Sequence, residues 1–344
     1  MKKEIITKYS RCAAALLLTV CLLSSCSRGG NGDTDTSNSD SSASNREEYT
    51  LRLGVCASGD SSSNGSARID LTSAVLICDK DGKIAKCYID CAENTMSVKG
   101  GSAETDNDYR TKREMGDDYK MKSASKLGKE WYEQAEYFDN WAQGKTKKQI
   151  EDLKLKSGGS AEDTDLSAGC TVSVSDIKEA VLKAFDDSRA VSFSAADACE
   201  IRFAALTDDS KTQNATDTKK GTAAMATTFA ALAVTDGRIS AAVIDTAEPK
   251  LPFSSDGSVD QMDYSGTKRE LGNDYGMKAA SKIGKEWYEQ QEFFCNYIKG
   301  MTKDEVDAVS TDADGKPKEA DLSSGCTVAV EDYITAVKTA MKGK

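Results

Sequence analysis

The chain has 344 residues and a formal net charge of −11, which argues against nucleic acid as a partner. It contains eleven cysteines and no histidine, so its composition excludes histidine-ligated zinc and haem sites and Ser-His or Cys-His catalysis. After the N-terminal segments described below, roughly 300 residues remain, which is enough for two ordinary domains.

The N-terminal segment, residues 1–25, resembles a bacterial lipoprotein signal peptide. Basic residues precede an apolar stretch from Ala13 to Leu23 that is too short to span a bilayer as a mature helix. The stretch ends in Leu23-Ser24-Ser25-Cys26, the small-small-Cys order of a lipobox. We expect Cys26 to be lipidated and to anchor the protein to the cell membrane on its extracytosolic side. The alternative is an ordinary secretory signal with a chance cysteine.

Residues 26–48 are predicted to be a disordered tether. They are mostly Ser, Gly, Asn, Asp and Thr, so they cannot bury enough apolar surface to offset their chain entropy. Removal of residues 1–25 would leave a net charge of −14, because that segment holds four basic residues and one acidic residue. The lipid, and not attraction to anionic headgroups, is therefore expected to hold the protein at the membrane.

An internal repeat organises the rest of the chain. The segment 111–134 recurs as 267–290, with 19 of 24 positions identical at an offset of 156. Each copy runs in the order strand, Asp-Gly turn, strand, basic-aromatic segment, helix, loop, Asp-x-x-x-Gly-Cys-Thr and helix. We predict two domains of one fold, the first repeat at 49–188 and the second repeat at 189–344.

Each repeat combines a predicted hairpin with several predicted helices. Asp81-Gly82 and Asp236-Gly237 each lie between runs rich in apolar residues, a strong hairpin signal. The spacing predicts a long helix over 125–144 and its counterpart in the second repeat, and capping boxes predict short helices after Thr146 and Thr302. Because strands precede helices in each unit, the fold class is α+β, a small antiparallel sheet with a hairpin packed against helices.

The Asp-x-x-x-Gly-Cys-Thr segments, at 165–171 and 321–327, allow two interpretations. One is structural: a small turn, a buried cysteine and a β-branched residue that opens the next element. The other comes from a resemblance: with the Asp-Gly-Lys-Ile hairpin before it and the Ala-Val-x-x-Ala helix behind it, the segment is similar to the flavinylation motif of the FMN-binding domain family.

The resemblance implies that a flavin transferase attaches FMN from FAD to the motif's last hydroxyl as a phosphoester. A small loop and a following helix N-terminus would suit that phosphate. The cofactor-binding residues implied in this way are Asp321, Ser324, Gly325 and Thr327 in the second repeat, and Asp165, Gly169 and Thr171 in the first.

Two features depart from the family's motif. Cys170 and Cys326 stand where the family has alanine, and Ala168 stands where it has Ser or Thr. Because the first repeat carries both departures, we expect Thr327 to be the better attachment site.

The repeated basic-aromatic segment is not part of the resemblance. One interpretation is a solvated basic loop leading to a helix with core aromatic residues. The other is a pocket wall, because Arg, Lys and aromatic rings suit a planar anionic ligand. The pocket residues so predicted are Lys112, Arg113, Tyr119 and Trp131, and Lys268, Arg269, Tyr275 and Trp287.

The sequence therefore predicts a membrane-anchored, extracytosolic flavoprotein. It would carry electrons through covalent FMN between a membrane donor and an outside acceptor, and would be an electron carrier rather than an enzyme with its own substrate. The alternative is a structural or ligand-binding surface lipoprotein that has this fold but no flavin.

Overall fold

The structure, a computed structural model, describes residues 46–61, 65–105, 108–195 and 199–343. The predicted signal peptide, Cys26 and residues 26–45 of the predicted tether lie outside the described residues. The described residues belong to one compact unit. Within the described ranges, no helix has the length and apolar character needed to cross a membrane.

The first repeat begins with long strands and ends with helices. Its strands are β1 (Glu47–Ser61), β2 (Ser66–Asp79), β3 (Ile84–Lys99) and β4 (Ser102–Thr105). Its helices are α1 (Lys112–Met115), a 3₁₀ helix (Gly116–Tyr119), α2 (Trp131–Ala142), α3 (Lys147–Glu151), α4 (Thr164–Ser167) and α5 (Ser175–Asp186).

The second repeat follows the same order. Its strands are β5 (Val191–Ala195), β6 (Glu200–Asp208), β7 (Gly221–Ala224), β8 (Ala226–Thr235), β9 (Arg238–Ala247) and β10 (Lys250–Phe253). Its helices are α6 (Lys268–Leu271), a 3₁₀ helix (Gly272–Tyr275), α7 (Trp287–Tyr297), α8 (Lys303–Asp307), α9 (Ala320–Ser323) and α10 (Glu331–Lys342). The α+β class predicted from the sequence is confirmed.

Each repeat builds an antiparallel sheet around its Asp-Gly hairpin. The first sheet has the order β4-β3-β2-β1-β5 and the second has the order β6-β8-β9, while β10 pairs with β7. The turn residues Gly82, Asp236 and Gly237 have φ values of 75°, 50° and 72°, which Asp and Gly tolerate. Strand β5, which the sequence assigns to the second repeat, pairs with β1 of the first repeat.

The two sheets face each other and the helices cover their outer faces. One core lies between the sheets and joins residues of both repeats, among them Leu51, Ile69 and Phe229. A second core lies between the first sheet and its helices, and a third lies between the second sheet and its helices. Both faces of the central strands are therefore buried, which explains the unbroken apolar run from Ala74 to Cys78.

The long helix of each repeat begins later than the sequence pattern predicts. The expected helix spans 125–144, whereas α2 starts at Trp131. The Glu130 side chain accepts hydrogen bonds from the backbone N–H groups of Met121 (2.8 Å) and Lys122 (3.0 Å), and the Glu133 side chain accepts one from the Glu130 N–H. This capping box fixes the start of the helix and ties the preceding loop to it. Glu286 plays the same part before α7.

Candidate functional site

The two Asp-x-x-x-Gly-Cys-Thr segments form the same corner in both repeats. A short helix, α4 or α9, contains the Asp, and the Gly-Cys-Thr begins one residue after that helix ends. Asp165 and Asp321 are exposed on these helices. The hydroxyl of exposed Ser324 donates to the Asp321 carbonyl oxygen (2.7 Å), a bond that Ala168 cannot form in the first repeat.

The glycine of each corner is required by packing. A Cβ atom at Gly169 would lie 2.1 Å from the ring of Tyr137, and one at Gly325 would lie 2.4 Å from the ring of Phe293. Both distances are shorter than any non-bonded carbon–carbon contact. The corner can therefore pack this closely against α2 or α7 only because glycine has no side chain. The glycines therefore have a role within the fold, whatever else they do.

The cysteine of each corner belongs to the helix–sheet core. Cys170 and Cys326 are both fully buried. Burial raises the pKa of each thiol to about 11, so both remain protonated near neutral pH. None of the eight cysteines in the described part of the chain forms a disulfide. These thiols pack as small apolar groups.

The threonine of each corner is hydrogen-bonded to a buried glutamine. The backbone N–H of Thr327 donates to Gln290 Oε1 (2.8 Å), and its hydroxyl lies 3.1 Å from the same oxygen. Thr171 and Gln134 repeat the arrangement at 2.8 Å and 3.2 Å. Both glutamines are fully buried, while both threonines are half-buried. The hydroxyls proposed as flavin acceptors are thus held in place by the long helix of their own repeat.

Three of the four residue types predicted for the pocket come together. In the second repeat, Lys268 Nζ lies 5.3 Å from the ring centre of Tyr275 and 5.6 Å from that of Trp287. Lys268 Nζ also lies 3.1 Å from Glu248 Oε1. The lysine is thus held by cation–π contacts and by an ion pair.

The first repeat forms the same cluster. Lys112 Nζ lies 5.2 Å and 5.6 Å from the ring centres of Tyr119 and Trp131, and 2.9 Å from Glu93 Oε2. Sequence reasoning missed the glutamates. Ile-Asp-x-Ala-Glu occurs at 89–93 and again at 244–248, so the repeat itself contained the signal.

The lysines keep these glutamates ionised. Burial alone would raise the pKa of Glu248, but Lys268 and Lys211 outweigh that effect and the pKa is lowered. The pKa of Glu93 is also lowered, because Lys112 and Arg68 outweigh its burial. Each cluster therefore holds a compensated ion pair beside aromatic rings.

The cluster of the second repeat borders a pocket of about 430 Å³, which we call the aromatic pocket. Such a volume suits a small organic ligand. Val328 and Ala329, the two residues directly after Thr327, also contribute to its wall. Trp287 is only 3% exposed, whereas Tyr275 is half-buried and offers more of its ring. The other residues around the pocket are Leu206, Thr207, Asp208, Lys211, Ala226, Thr228, Thr246, Met277, Asp332 and Tyr333.

The predicted arginines bind a different set of partners. Arg113 pairs with Asp139 and its guanidinium lies 4.3 Å from the ring centre of Tyr88. Arg269 is 3% exposed and donates to Gln291 Oε1 at 3.2 Å. Neither arginine contacts the lysine cluster of its own repeat, so the structure divides the predicted pocket residues between two places.

A buried aspartate anchors each basic-aromatic segment to the sheet. Asp90 accepts hydrogen bonds from the Thr111 hydroxyl (2.8 Å) and the Arg113 N–H (3.1 Å). Asp245 accepts from the Arg269 N–H (3.0 Å) and the Thr246 N–H (2.7 Å). Burial raises the pKa of Asp90 to about 6 and that of Asp245 to about 7. Each aspartate thus holds the backbone at the arginine, at the point where the side chains of that arginine and of the lysine before it lead to different partners.

No protein-family model matches the chain, and no solved structure matches it. A protein named chlorophenol reductase, from Desulfitobacterium hafniense, is 50% identical over 54 residues. That match covers 15% of this chain and 16% of the reductase.

Proposed function

We propose that the protein is an extracytosolic electron carrier with FMN esterified to Thr327. The observation that carries the proposal is the position of Thr327 in the corner: the two residues that follow it form part of the aromatic pocket. A flavin attached to this hydroxyl would have a lysine, a tyrosine ring and the edge of a buried tryptophan within a short reach. Lys268 and Lys211 would offset the negative charge that a flavin gains on reduction, while the carboxylates of Asp208, Glu248 and Asp332, which also border the pocket, would oppose it.

The attachment step needs only the hydroxyl and a transferase. The transferase would break the pyrophosphate bond of FAD, join the FMN phosphorus to Thr327 Oγ1, and release AMP and the hydroxyl proton. The ester oxygen could no longer donate to Gln290, but the Thr327 N–H would keep its bond to the same glutamine oxygen. The corner can therefore keep its place after modification.

The remaining parts of the proposal rest on sequence. Lipidation at Cys26 would keep the carrier at the membrane, and electrons would pass between a membrane donor and an extracellular acceptor. The partial match to a protein named as a reductase agrees with a redox role. It covers too little of either chain to transfer a substrate.

A second candidate is a surface lipoprotein that binds a ligand without covalent flavin. It is favoured by the packing of the corner, because the Gly–ring contacts and the Thr–Gln hydrogen bonds explain the Gly-Cys-Thr segment in both repeats without a cofactor. In this case the aromatic pocket would bind a small molecule noncovalently.

Intact mass separates the two candidates. The chain is co-expressed with a bacterial flavin transferase, and its mass and in-gel flavin fluorescence are measured. We expect one main adduct that Thr327→Ala removes and Thr327→Ser, which keeps a hydroxyl, retains. A weaker second adduct should disappear with Thr171→Ala. Absence of any adduct excludes covalent flavin, and an adduct that survives both alanine changes excludes these two hydroxyls.

A further inference from the structure

A second pocket, of about 290 Å³, lies where the second repeat meets the segment that leads into β5; we call it the arginine pocket. Three cationic side chains border it, those of Arg189, Arg269 and Lys299, against one acidic side chain, Glu292. It shares none of its bordering residues with the aromatic pocket. The rest of its wall consists of Ala190, Val191, Ala241, Ala242, Gln291, Cys295 and Asn296.

In the first repeat, the arginine equivalent to Arg269 is paired with an acidic residue of the long helix. There Arg113 pairs with Asp139 of α2. At the offset of 156, the residue equivalent to Asp139 is Cys295, and the residue equivalent to Gln143 is Lys299. At these two positions, the long helix of the second repeat and the residues just after it therefore carry one negative charge fewer and one positive charge more than those of the first repeat.

Two carboxylates lie near the Arg269 guanidinium, and its Nη2 also donates to the Arg189 carbonyl oxygen. Its Nη2 lies 3.4 Å from Asp187 Oδ2, and its Nη1 lies 3.5 Å from Glu292 Oε1, which Arg189 also approaches at 3.9 Å. The buried Nε of Arg269 has no hydrogen-bond acceptor among the described residues. The Lys299 side chain is exposed and forms no ion pair within the described part of the chain. The three cations Arg189, Arg269 and Lys299 thus face only two carboxylates, those of Asp187 and Glu292, so a ligand with negative charge would be favoured here.

We propose that the arginine pocket binds a small organic carboxylate. Arginine and lysine form charge-assisted hydrogen bonds with a carboxylate. Lys299 is the exposed donor at this pocket, and Arg189 borders it with a guanidinium that also donates to the Arg269 carbonyl oxygen (2.8 Å) and lies 4.0 Å from the ring centre of Tyr288. The apolar wall of Ala190, Val191 and Ala241 would cover the hydrocarbon part of such a ligand. An inorganic anion has no hydrocarbon part and would gain nothing from this wall. The proposal is independent of flavin at Thr327, because the site is separate from the aromatic pocket.

Titration calorimetry on the full chain tests the proposal with three probes: sodium butyrate, its neutral amide butyramide, and inorganic phosphate. We expect butyrate to bind and butyramide to bind at least about tenfold more weakly, since the amide lacks the charge. Phosphate should also bind more weakly than butyrate. No butyrate binding, or equal binding of the amide, overturns the proposal, and tighter phosphate binding shows that the site takes an inorganic oxyanion instead.

Variants place the binding in this pocket. Lys299→Gln should weaken butyrate binding about tenfold, while Lys282→Gln, at an exposed lysine outside the pocket, should not change it. Cys295→Asp restores the carboxylate that the first repeat has and should abolish binding. If Cys295→Asp does not fold, Lys299→Gln and Arg189→Gln still decide the question. Unchanged affinity in both of these variants refutes the assignment.

Discussion

Gln290 connects the corner of the second repeat to its long helix, and Gln290→Met tests that connection. The side chain is fully buried. Its Oε1 accepts two hydrogen bonds from Thr327, and its Nε2 donates to Ser281 Oγ (3.1 Å) and to the Lys285 carbonyl oxygen (3.2 Å). Methionine has a similar length but can replace none of these bonds.

The expected cost follows from which groups lose their partners. The hydroxyls of Ser281 and Thr327 can rotate toward other acceptors or water. The Thr327 N–H and the Lys285 carbonyl oxygen are fixed in the backbone, and each unsatisfied group costs about 1–3 kcal/mol when buried. Because Thr327 is half-buried, we expect a total loss of about 3 kcal/mol in the free energy of unfolding.

Two measurements check this prediction. Urea denaturation gives the change in free energy of unfolding, and hydrogen exchange follows the Thr327 amide, which should exchange faster in the variant. Gln134→Met should have a similar effect in the first repeat. Gln143→Met, at an exposed glutamine after α2, should change stability by less than about 0.5 kcal/mol. A loss below about 0.5 kcal/mol for Gln290→Met, with an unchanged Thr327 exchange rate, would refute the reasoning.

Three further predictions concern other contacts of the second repeat. Gly325→Ala should destabilise the protein by about 1–3 kcal/mol through its clash with Phe293, and adding Phe293→Ala should recover part of that loss in a double-mutant cycle. The carboxyl of Asp245 ionises near pH 4 when unfolded but keeps its proton to about pH 7 when folded, so it lowers stability as the pH rises between these values. Asp245→Asn should therefore flatten the fall in unfolding free energy between pH 4 and 7, and an unchanged slope would contradict the assignment. Lys268→Met should raise the pKa of Glu248, which a carboxyl NMR titration would detect.

Local sequence signals predicted the elements well because they act over a few residues. The Asp-Gly hairpins occur at the expected positions, since Asp236 and Gly237 both adopt the positive φ that such turns need. The capping boxes at Thr146 and Thr302 are also confirmed. The start of α2 was wrong by six residues, because the loop before it is held by Glu130 and not by helical hydrogen bonds.

The candidate site was only partly predictable. The repeat indicated that Lys268, Tyr275 and Trp287 belong together, and the structure brings them together. It did not indicate that Arg269, the residue next to Lys268, binds a separate set of partners. That separation depends on Asp245, which anchors α6 to the sheet through the Arg269 N–H.

The sequence by itself determined the duplication, the α+β class and the residue types of the corner, because these follow from local patterns repeated at a fixed offset. Only the tertiary structure decided how the two sheets share one core, that Gly325 faces Phe293, and that Thr327 is held by Gln290. These contacts join residues distant in sequence, and no short-range pattern specifies them. The charge difference around Arg269 could be recognised only from sequence and structure together. The repeat shows that Cys295 stands where the first repeat has Asp139, and the fold shows that a pocket lies beside Arg269.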